Sequence, residues 1–450
     1  MSGDLTALSA VEVVQKIVAG ELTSTAVVGA CLDKIDETDG ALKAWAHLDR
    51  DWALAQAAEA DRLRKEGRAT GRLHGVPVGL KDVVDTKDLP TERGSVIFAG
   101  RRPGADAALV DRLREAGAVV LGKTKTTEFA FVHPTDTVNP HDHRRTPGGS
   151  SSGSAAAVAA GQVPVAIGTQ TNGSVIRPAS FCGVYGFKPS RGMISRRGVL
   201  QTSRSLDQMG GFARSLEDVA ALADAIAGYD PADPASFPRP RPSALAGARE
   251  EPPVEPALAW LDMPYHDRLD ADARAGMEAV VDALGPRVKR MEAAPTLSGL
   301  VEVQATLHHY EICQHLGAVF DGHWDRVSDT LKPVITHGRA ISEAEYQDAL
   351  AVQASADGFF AEFFTEFDAI IAPSATGEAP MLGGNTGDPV FCTIWTLAGL
   401  PAVTVPLLVG DNGLPIGLQL IGAREEDDRL MRSTAWVTRA LQASLAEEGA

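Results

Sequence analysis

The first 70 residues carry the boundary signals of successive helices. Three helices are predicted there, over 9–20, 24–36 and 51–65. Ser9 and Glu12 have the spacing of a capping box, in which each side chain bonds the other residue's backbone N–H, and Gly20 is a typical helix stop. Because this stretch contains no motif with chemical meaning, we interpret it as a helical lead-in.

Beyond the lead-in, short apolar runs alternate with helical segments. A strand over 73–80 ends in the charged pair Lys81-Asp82, an amphipathic helix covers 105–116, and 118–121 is the next strand. Such alternation predicts an α/β fold with helices packed on a sheet. Further helices are predicted over 155–160, 215–228, 272–284, 300–320 and 342–367, and further strands over 163–167, 368–373, 401–408 and 413–422.

We predict one domain over 1–450, with an irregular middle. Residues 229–264 are rich in proline, alanine and charge, so we interpret them as a linker or surface excursion outside the core. The predicted segments are the lead-in over 1–70, a core region over 71–228, a variable region over 229–346, and the C-terminal part of the core over 347–450.

Net charge and cysteine spacing exclude several classes of function. The formal net charge of −17 disfavours nucleic acid as a partner, because phosphate binding depends on Lys and Arg. The four cysteines lie far apart without a CxxC pair, which predicts neither a zinc cluster nor a disulfide framework. No apolar run reaches the roughly 18 residues of a membrane helix. We expect a cytoplasmic protein with reduced thiols, no signal peptide and no membrane contact.

Two polar loops stand out, Gly-Gly-Ser-Ser-Ser-Gly-Ser over 148–154 and Gly-Thr-Gln-Thr-Asn-Gly-Ser over 168–174. A phosphate loop is excluded, since Ser154 stands where that motif needs lysine. Residues 149–153 match G-x-S-x-G, but a nucleophile elbow needs a preceding strand, and the Arg-Arg-Thr-Pro before them is a poor one. A glycine-serine linker does not explain the apolar segments on either side.

A serine nucleophile needs a base, and no histidine lies near either loop after Ser150. Only about one lysine in 2,500 is neutral at pH 7, but burial lowers the pKa of the amine. Lys81, at the end of an apolar strand, is the natural candidate, with a second serine as proton relay. The alternative is an exposed strand end. Asp82 either steadies Lys81 or caps a turn.

These residues closely resemble the amidase signature family. The resemblance covers residues 73–188, 368–373 and 413–422, and its centre is the serine stretch followed by Gly-Thr-Gln-Thr-Asn-Gly-Ser-Val-Ile-Arg-Pro over 168–178. It implies the amidase signature fold, a large twisted mixed β-sheet surrounded by α-helices. It also implies a Ser–Ser–Lys triad that needs neither metal nor cofactor. By the same resemblance, residues 71–228 would hold the catalytic motifs, and the variable region over 229–346 would line the substrate pocket.

The resemblance assigns roles to individual residues. Ser174 would be the nucleophile, Ser150 the relay serine after a cis peptide bond, and Lys81 the base. Backbone N–H groups of the loop before the nucleophile would form the oxyanion hole. The remaining residues carried over are Thr171, Asn172 and Gly173 for the oxyanion hole, and Ser151 and Arg177 for substrate binding.

Two positions depart from the family pattern. Asn172 stands where a second glycine is frequent, and it tolerates a positive φ better than most residues, so the loop can keep its conformation. Unlike glycine, its side chain can project toward substrate. Ile176 stands where many members have arginine, and Arg177 follows it. Arg177 either binds a substrate carboxylate or serves a structural ion pair.

Other candidates carry less weight. His308, His309, Cys313 and His315 share a predicted helix, but their spacing predicts no metal site. Packing explains Cys182 and Gln419. The aromatic residues of the variable region fit either an aromatic substrate or the core, and they are Trp260, Tyr265, Tyr310 and Phe320.

The implied function is an amidohydrolase that cleaves small amides, aryl amides or carbamates (urethanes) through an acyl-enzyme. The expected partner is such a small molecule, without nucleic acid or membrane, and a homodimer is a compatible assembly. The alternative is the glutamine-hydrolysing A subunit of a transfer-RNA-dependent amidotransferase, which needs partner chains. A third hypothesis, a non-catalytic scaffold with this fold, is disfavoured because Lys81, Ser150 and Ser174 are all present.

Overall fold

The computed structural model describes residues 4–68, 70–294, 297 and 299–448. The first and last residues of the predicted domain, 1 and 450, therefore lie outside the described residues. The strands in this part of the chain are β1 Trp45–Leu48, β2 Pro77–Lys81, β3 Val119–Thr124, β4 Val165–Gln170, β5 Tyr185–Lys188, β6 Gln208–Ala213, β7 Leu258–Asp262, β8 Val288–Glu292, β9 Ala369–Pro373, β10 Ala402–Val409 and β11 Pro415–Ile421. They form one mixed sheet in the order β1-β3-β2-β4-β6-β5-β10-β11-β9-β7-β8.

Helices surround this sheet. Within the described residues the α-helices are α1 Ala10–Ala19, α2 Ser24–Leu42, α3 Arg50–Lys65, α4 Ala108–Glu115, α5 Ser152–Ala159, α6 Ile176–Cys182, α7 Leu216–Ile226, α8 Ala244–Arg249, α9 Ala271–Leu284, α10 Leu300–Gly322, α11 Lys332–Ala340, α12 Glu343–Phe363, α13 Val390–Leu397 and α14 Asp427–Glu448. None of these helices is long and apolar enough to cross a bilayer.

The centre of the sheet is covered on both faces. Every residue of β2, β3, β4, β6 and β9 is buried. Because successive side chains of a strand point to opposite faces, complete burial requires helices on both sides. The α/β prediction is therefore confirmed, with parallel pairing of β2 with β3 and β4 and mostly antiparallel pairing across the middle.

The helical lead-in is confirmed in its main features. The Ser9–Glu12 capping box opens α1, and Gly20 ends it in the left-handed conformation with φ 78°. Helix α2 continues six residues past the predicted end at 36, to Leu42. Strand β1, which follows it, was not predicted.

The interpretation of 229–264 as a linker outside the core is wrong at its C-terminal end. Helix α8 lies in it, and the buried strand β7 pairs in parallel with β8 and β9 inside the sheet. The proline-rich run before Leu258 hid a five-residue apolar strand that is too short to show a period. Strands β5, β6 and β8 and helices α6, α11 and α13 were also missed.

The functional loops gather where β2 and β4 end. These neighbours run in parallel, with Leu80 opposite Ile167, so their carboxyl ends reach the same edge of the sheet. Lys81 ends β2, and Gln170, in the second polar loop, ends β4 four residues before Ser174. Helix α5 begins at Ser152, in the first polar loop, and leads back to β4. The topology thus brings both polar loops to Lys81.

Candidate active site

Three buried polar side chains meet beyond this edge. The Nζ atom of Lys81 lies 2.7 Å from Ser150 Oγ and 2.8 Å from Thr169 Oγ1. All three side chains are buried. The peptide bond between Gly149 and Ser150 is cis, as the family resemblance implies. The alternative of an exposed strand end for Lys81 is wrong, since its exposed fraction is 0%.

Two other lysines are as deeply buried as Lys81, but their surroundings differ. The amine of Lys123 donates to a main-chain carbonyl and a threonine hydroxyl, with the Asp82 carboxylate 3.7 Å away. The amine of Lys188 donates to two main-chain carbonyls and to the side-chain oxygen of Gln208. Carbonyl and carboxylate oxygens only accept, so they favour an ammonium, whereas a hydroxyl can also donate to a neutral amine. Among these three lysines of the described chain, Lys81 alone has hydroxyl partners only.

Burial and one carboxylate set the protonation of Lys81. Burial lowers the pKa of Lys81 well below its ordinary value of 10.5, and the negative charge of Asp207 partly opposes this. Asp207 is itself buried and accepts hydrogen bonds from Thr171 Oγ1 at 2.5 Å and from the backbone N–H groups of Thr202 and Ser203. One carboxylate therefore acts on the amine and also holds the second polar loop.

Replacement of Asp207 by asparagine is expected to change both the pH profile and the rate. Loss of the negative charge removes what raises the pKa of Lys81, so the neutral amine persists to lower pH and the acidic limb of kcat/KM shifts to lower pH. At the pH optimum kcat is expected to fall roughly tenfold, because a hydrogen bond to a charged group is worth about 1.5–3 kcal/mol. Asp218→Asn, a buried carboxylate near the N-terminus of α1, is the control. An unmoved acidic limb would contradict the coupling.

Ser174 faces an open cavity of about 240 Å³. The cavity wall includes the loop over 171–174, Arg177 and the oppositely charged Arg268 and Asp388. Ser174 is half-buried, whereas Lys81 and Ser150 are buried away from solvent. A substrate in this cavity would reach the Ser174 hydroxyl first.

The loop before Ser174 presents free backbone donors. In the part of the chain that the structure describes, the N–H groups of Asn172, Gly173 and Ser174 have no hydrogen-bond acceptor. The carbonyl of Gly173 accepts from the N–H of Arg177, in the first turn of α6. Thr171 is anchored through its hydroxyl on Asp207. Consecutive unpaired N–H groups beside a hydroxyl are suited to stabilise a negative oxygen.

Arg177 and Ser151, the two residues predicted to bind substrate, are both buried. Arg177 lines the cavity, and its guanidinium donates to the carbonyl oxygen of Gly149 at 2.7 Å and to Thr386 Oγ1 at 3.0 Å. Burial lowers the pKa of Arg177 to about 10. The Ser151 hydroxyl instead bonds the backbone of Thr169 and does not line the cavity. Arg177 thus holds the peptide unit that precedes Ser150.

Several other candidates lie outside the cavity. Asp82 faces Lys123 and not Lys81. Of the four aromatic residues of the variable region, Trp260, Tyr265 and Phe320 are buried in the hydrophobic core, and Tyr310 stacks on Tyr346. Cys182 and Gln419 are buried and bond backbone oxygens, in line with packing.

The histidines of α10 have separate partners. His308 is buried, and its ring packs on Phe131 and meets Thr202 Oγ1 at 3.3 Å. Its neighbour His309 pairs with His337 at 2.9 Å between Nδ1 atoms. Both His308 and His309 line the cavity, and burial lowers the pKa of His309 to about 4.

Sequence reasoning missed four contributors to the site. They are Thr169, Asp207, Gln304 and Arg268. Thr169 had a local signal, because it lies in the second polar loop at the end of a strand parallel to that of Lys81. The others approach from elements roughly 30 to 130 residues away in the chain, so no local pattern points to them.

Comparison with known proteins identifies the family. A family model for Amidase matches residues 26–431. The A subunit of the glutamyl-tRNA(Gln) amidotransferase of Chloroflexus aggregans is 35% identical, covering 94% of this chain and 96% of its own. A solved chain from a vestigial protein complex, which reveals the evolutionary origins of an s-triazine catabolic enzyme, superposes with TM-score 0.90 at 29% identity, covering 96% and 98% of the two chains. A solved peptide amidase superposes with TM-score 0.79 at 32% identity, covering 97% and 98%. The chain therefore belongs to the Amidase family, the amidase signature enzymes, and is an enzyme that acts on carbon–nitrogen bonds.

Proposed function

We propose that the chain hydrolyses an amide through an acyl-enzyme on Ser174. Ser174 Oγ attacks the carbonyl carbon while its proton passes to Ser150, which gives its own proton to the neutral amine of Lys81. The negative oxygen is held by the N–H groups of Asn172, Gly173 and Ser174. The proton returns to the leaving nitrogen as the carbon–nitrogen bond breaks. Water attacks the ester by the same route, releasing the acid and restoring Ser174.

The substrate we propose is glutamine, hydrolysed by an amidotransferase A subunit. The carrying observation is the pair formed by Arg268 and Asp388, 3.1 Å apart in the wall of the cavity that contains Ser174. Both side chains are partly exposed, so their mutual ion pair is worth at most about 1 kcal/mol and can exchange partners. A carboxylate and a guanidinium together suit the ammonium and carboxylate of an amino acid. The 35% identical relatives, which are A subunits of glutamyl-tRNA(Gln) amidotransferases, add support.

Arg268→Gln tests this assignment by comparing two substrates. For glutamine, KM is expected to rise about 10- to 100-fold, since one charge-assisted hydrogen bond is worth about 1.5–3 kcal/mol. Butyramide carries the same primary amide without either charge, so its KM should stay within about twofold of the wild-type value. Ammonia release measured for both substrates gives the result. Equal changes for glutamine and butyramide would argue against recognition of the α-carboxylate.

The role within a larger complex is tested separately. A tagged copy purified from its own host is expected to bring partner chains with it and to convert glutamyl-tRNA to its amide with glutamine as donor. The net charge of −17 favours partners that carry the RNA contacts. Isolation as a lone chain that turns over simple amides would contradict this role.

A second candidate is an amidase for small or aryl amides or carbamates. The part of the cavity wall formed by Phe131, Val132, Val301 and Val390 is apolar, which suits an uncharged acyl or aryl group. A panel of an aryl amide, an aryl carbamate, a primary amide and a malonamate, with Ser174→Ala beside wild type, distinguishes the two. Efficient turnover of an uncharged member by the isolated chain would favour this candidate over glutamine.

A further inference from the structure

A buried glutamine from outside the two polar loops makes two contacts with the loop over 171–174, which we call the donor loop because it carries the free N–H groups. Gln304 lies in the first turns of α10, and its Nε2 donates to the carbonyl oxygen of Thr171 at 3.0 Å. Its Oε1 accepts from Nδ2 of Asn172 at 3.2 Å. Gln304 also lines the cavity. One side chain thus grips two consecutive residues of the loop that precedes Ser174.

The hydrogen bond from Gln304 to the carbonyl of Thr171 fixes the direction of the Asn172 N–H, one of the proposed oxyanion donors. A trans peptide unit is planar, with its C=O and N–H pointing in opposite directions. Holding the carbonyl of Thr171 toward α10 therefore aims the N–H of Asn172 away from it. Thr396 Oγ1, 2.5 Å from the carbonyl of Asn172, acts in the same way on the N–H of Gly173.

The side chain of Asn172 completes the arrangement. Its Oδ1 accepts from Thr393 Oγ1 at 2.7 Å, while its Nδ2 donates to Gln304. The side-chain amide of Asn172 is therefore hydrogen-bonded to α13 through its oxygen and to α10 through its nitrogen. A glycine at this position could make neither bond, so the loop would lose two of its side-chain hydrogen bonds.

We propose that Gln304 is a positioning residue for the oxyanion hole, acting through the carbonyl of Thr171. This rests on the proposed acyl-enzyme chemistry of Ser174. Gln304 joins the helix that forms one wall of the substrate cavity to the donors that stabilise the transition state.

The test compares two substitutions of Gln304. Gln304→Met keeps the length and removes both bonds, and Gln304→Glu keeps an acceptor for Asn172 but loses the donor to Thr171. In both variants kcat is expected to fall about 10- to 100-fold with little change in KM, since outright loss of an oxyanion donor costs about 100-fold or more. Asn172→Gly should cost less, because it leaves the bond to Thr171 in place.

The pH dependence separates positioning from a general loss of structure. When the carboxyl group introduced by Gln304→Glu is protonated, it regains an O–H donor for the Thr171 carbonyl, so the ratio of Gln304→Glu to wild-type kcat should rise as the pH falls. The same ratio for Gln304→Met should not change with pH. A pH-independent ratio for Gln304→Glu would overturn the proposed role of the donor.

A control variant and a second readout complete the design. Gln353, another buried glutamine, donates to the carbonyl of Leu397 and does not contact the loop, so Gln353→Met should keep kcat within about twofold. Sulfonylation of Ser174 by phenylmethylsulfonyl fluoride, followed by mass spectrometry, should slow about 10-fold in Gln304→Met. An unchanged sulfonylation rate in Gln304→Met overturns the positioning role of Gln304 and leaves the acyl-enzyme proposal standing. A wild type that is not sulfonylated at Ser174 overturns the acyl-enzyme proposal and the inference with it.

Discussion

Ser174→Ala is expected to reduce kcat by a factor on the order of 10⁶, to the level of the remaining binding and oxyanion contacts. The hydroxyl lies in the wall of the cavity, next to three backbone N–H groups without acceptors in the described chain. Its removal leaves those donors in place but eliminates the atom that forms the ester. Single-turnover hydrolysis of the best substrate, followed to completion, measures the loss.

A matched serine provides the control. Ser154 lies in the first polar loop, is fully buried, and bonds the carbonyl of Ile167 at 2.8 Å and the hydroxyl of Thr124. Ser154→Ala should lower the free energy of unfolding by about 1 kcal/mol and leave kcat within a few-fold of wild type. An acyl group trapped on wild type by acid quench should be absent from Ser174→Ala. Turnover that survives in Ser174→Ala would contradict the assignment of the nucleophile.

The polar loops could be predicted because their chemistry is contiguous in sequence. Glycines and serines over 148–154, a second loop ending in Ser174, and Lys81 at the end of an apolar strand are each visible locally. The α/β alternation then brings parallel strand ends to one edge, which is where Lys81 and Ser150 meet. The structure adds the 2.7 Å separation between Lys81 Nζ and Ser150 Oγ and the burial that no local pattern supplies.

The protonation state and the supports of the site depend on distant parts of the chain. The apolar run before Lys81 does not by itself separate it from Lys123 and Lys188, since each of the three ends or follows such a run. The family resemblance singles out Lys81, and the structure shows that all three lysines are fully buried. Only the packed structure shows which amine meets hydroxyls and which meets carbonyls. Asp207 reaches the donor loop from the residue before β6, and Gln304 reaches it from α10, so their roles follow from tertiary contacts.

The same limit explains the errors in the fold. Strand β7 follows a run of prolines and charges, and its five residues are too few to reveal a period. Strand β6 contains two adjacent glycines, which locally disfavour a strand, yet Gly210 packs closely against the backbone of β5, and Gly211 against the Leu222 side chain and the backbone of β4. In both cases packing between neighbours in the sheet overrides the local signal.

Lys81→Met is expected to lower kcat by about 10⁴-fold at pH values above the pKa of Lys81, the upper end of a general base's contribution. Methionine fills nearly the same volume but accepts no proton, so Ser150 has no group to pass its proton to. In wild type the activity should fall as the pH drops through the pKa of Lys81, because the ammonium cannot accept a proton. This acidic limb should be absent from the residual activity of Lys81→Met.

Lys188→Met is the matched control, because it removes an equally buried amine outside the site. Its loss leaves two main-chain carbonyls and Gln208 without their donor, so the free energy of unfolding should fall by about 3–5 kcal/mol. Activity per folded molecule should persist. The two variants should therefore differ in opposite ways, since Lys81→Met is expected to stay folded but lose activity, and Lys188→Met to lose stability but stay active. If both variants lost activity only in proportion to unfolding, Lys81 would be a structural lysine and the base would have to be sought elsewhere in the cavity wall, where the buried His308 is the alternative.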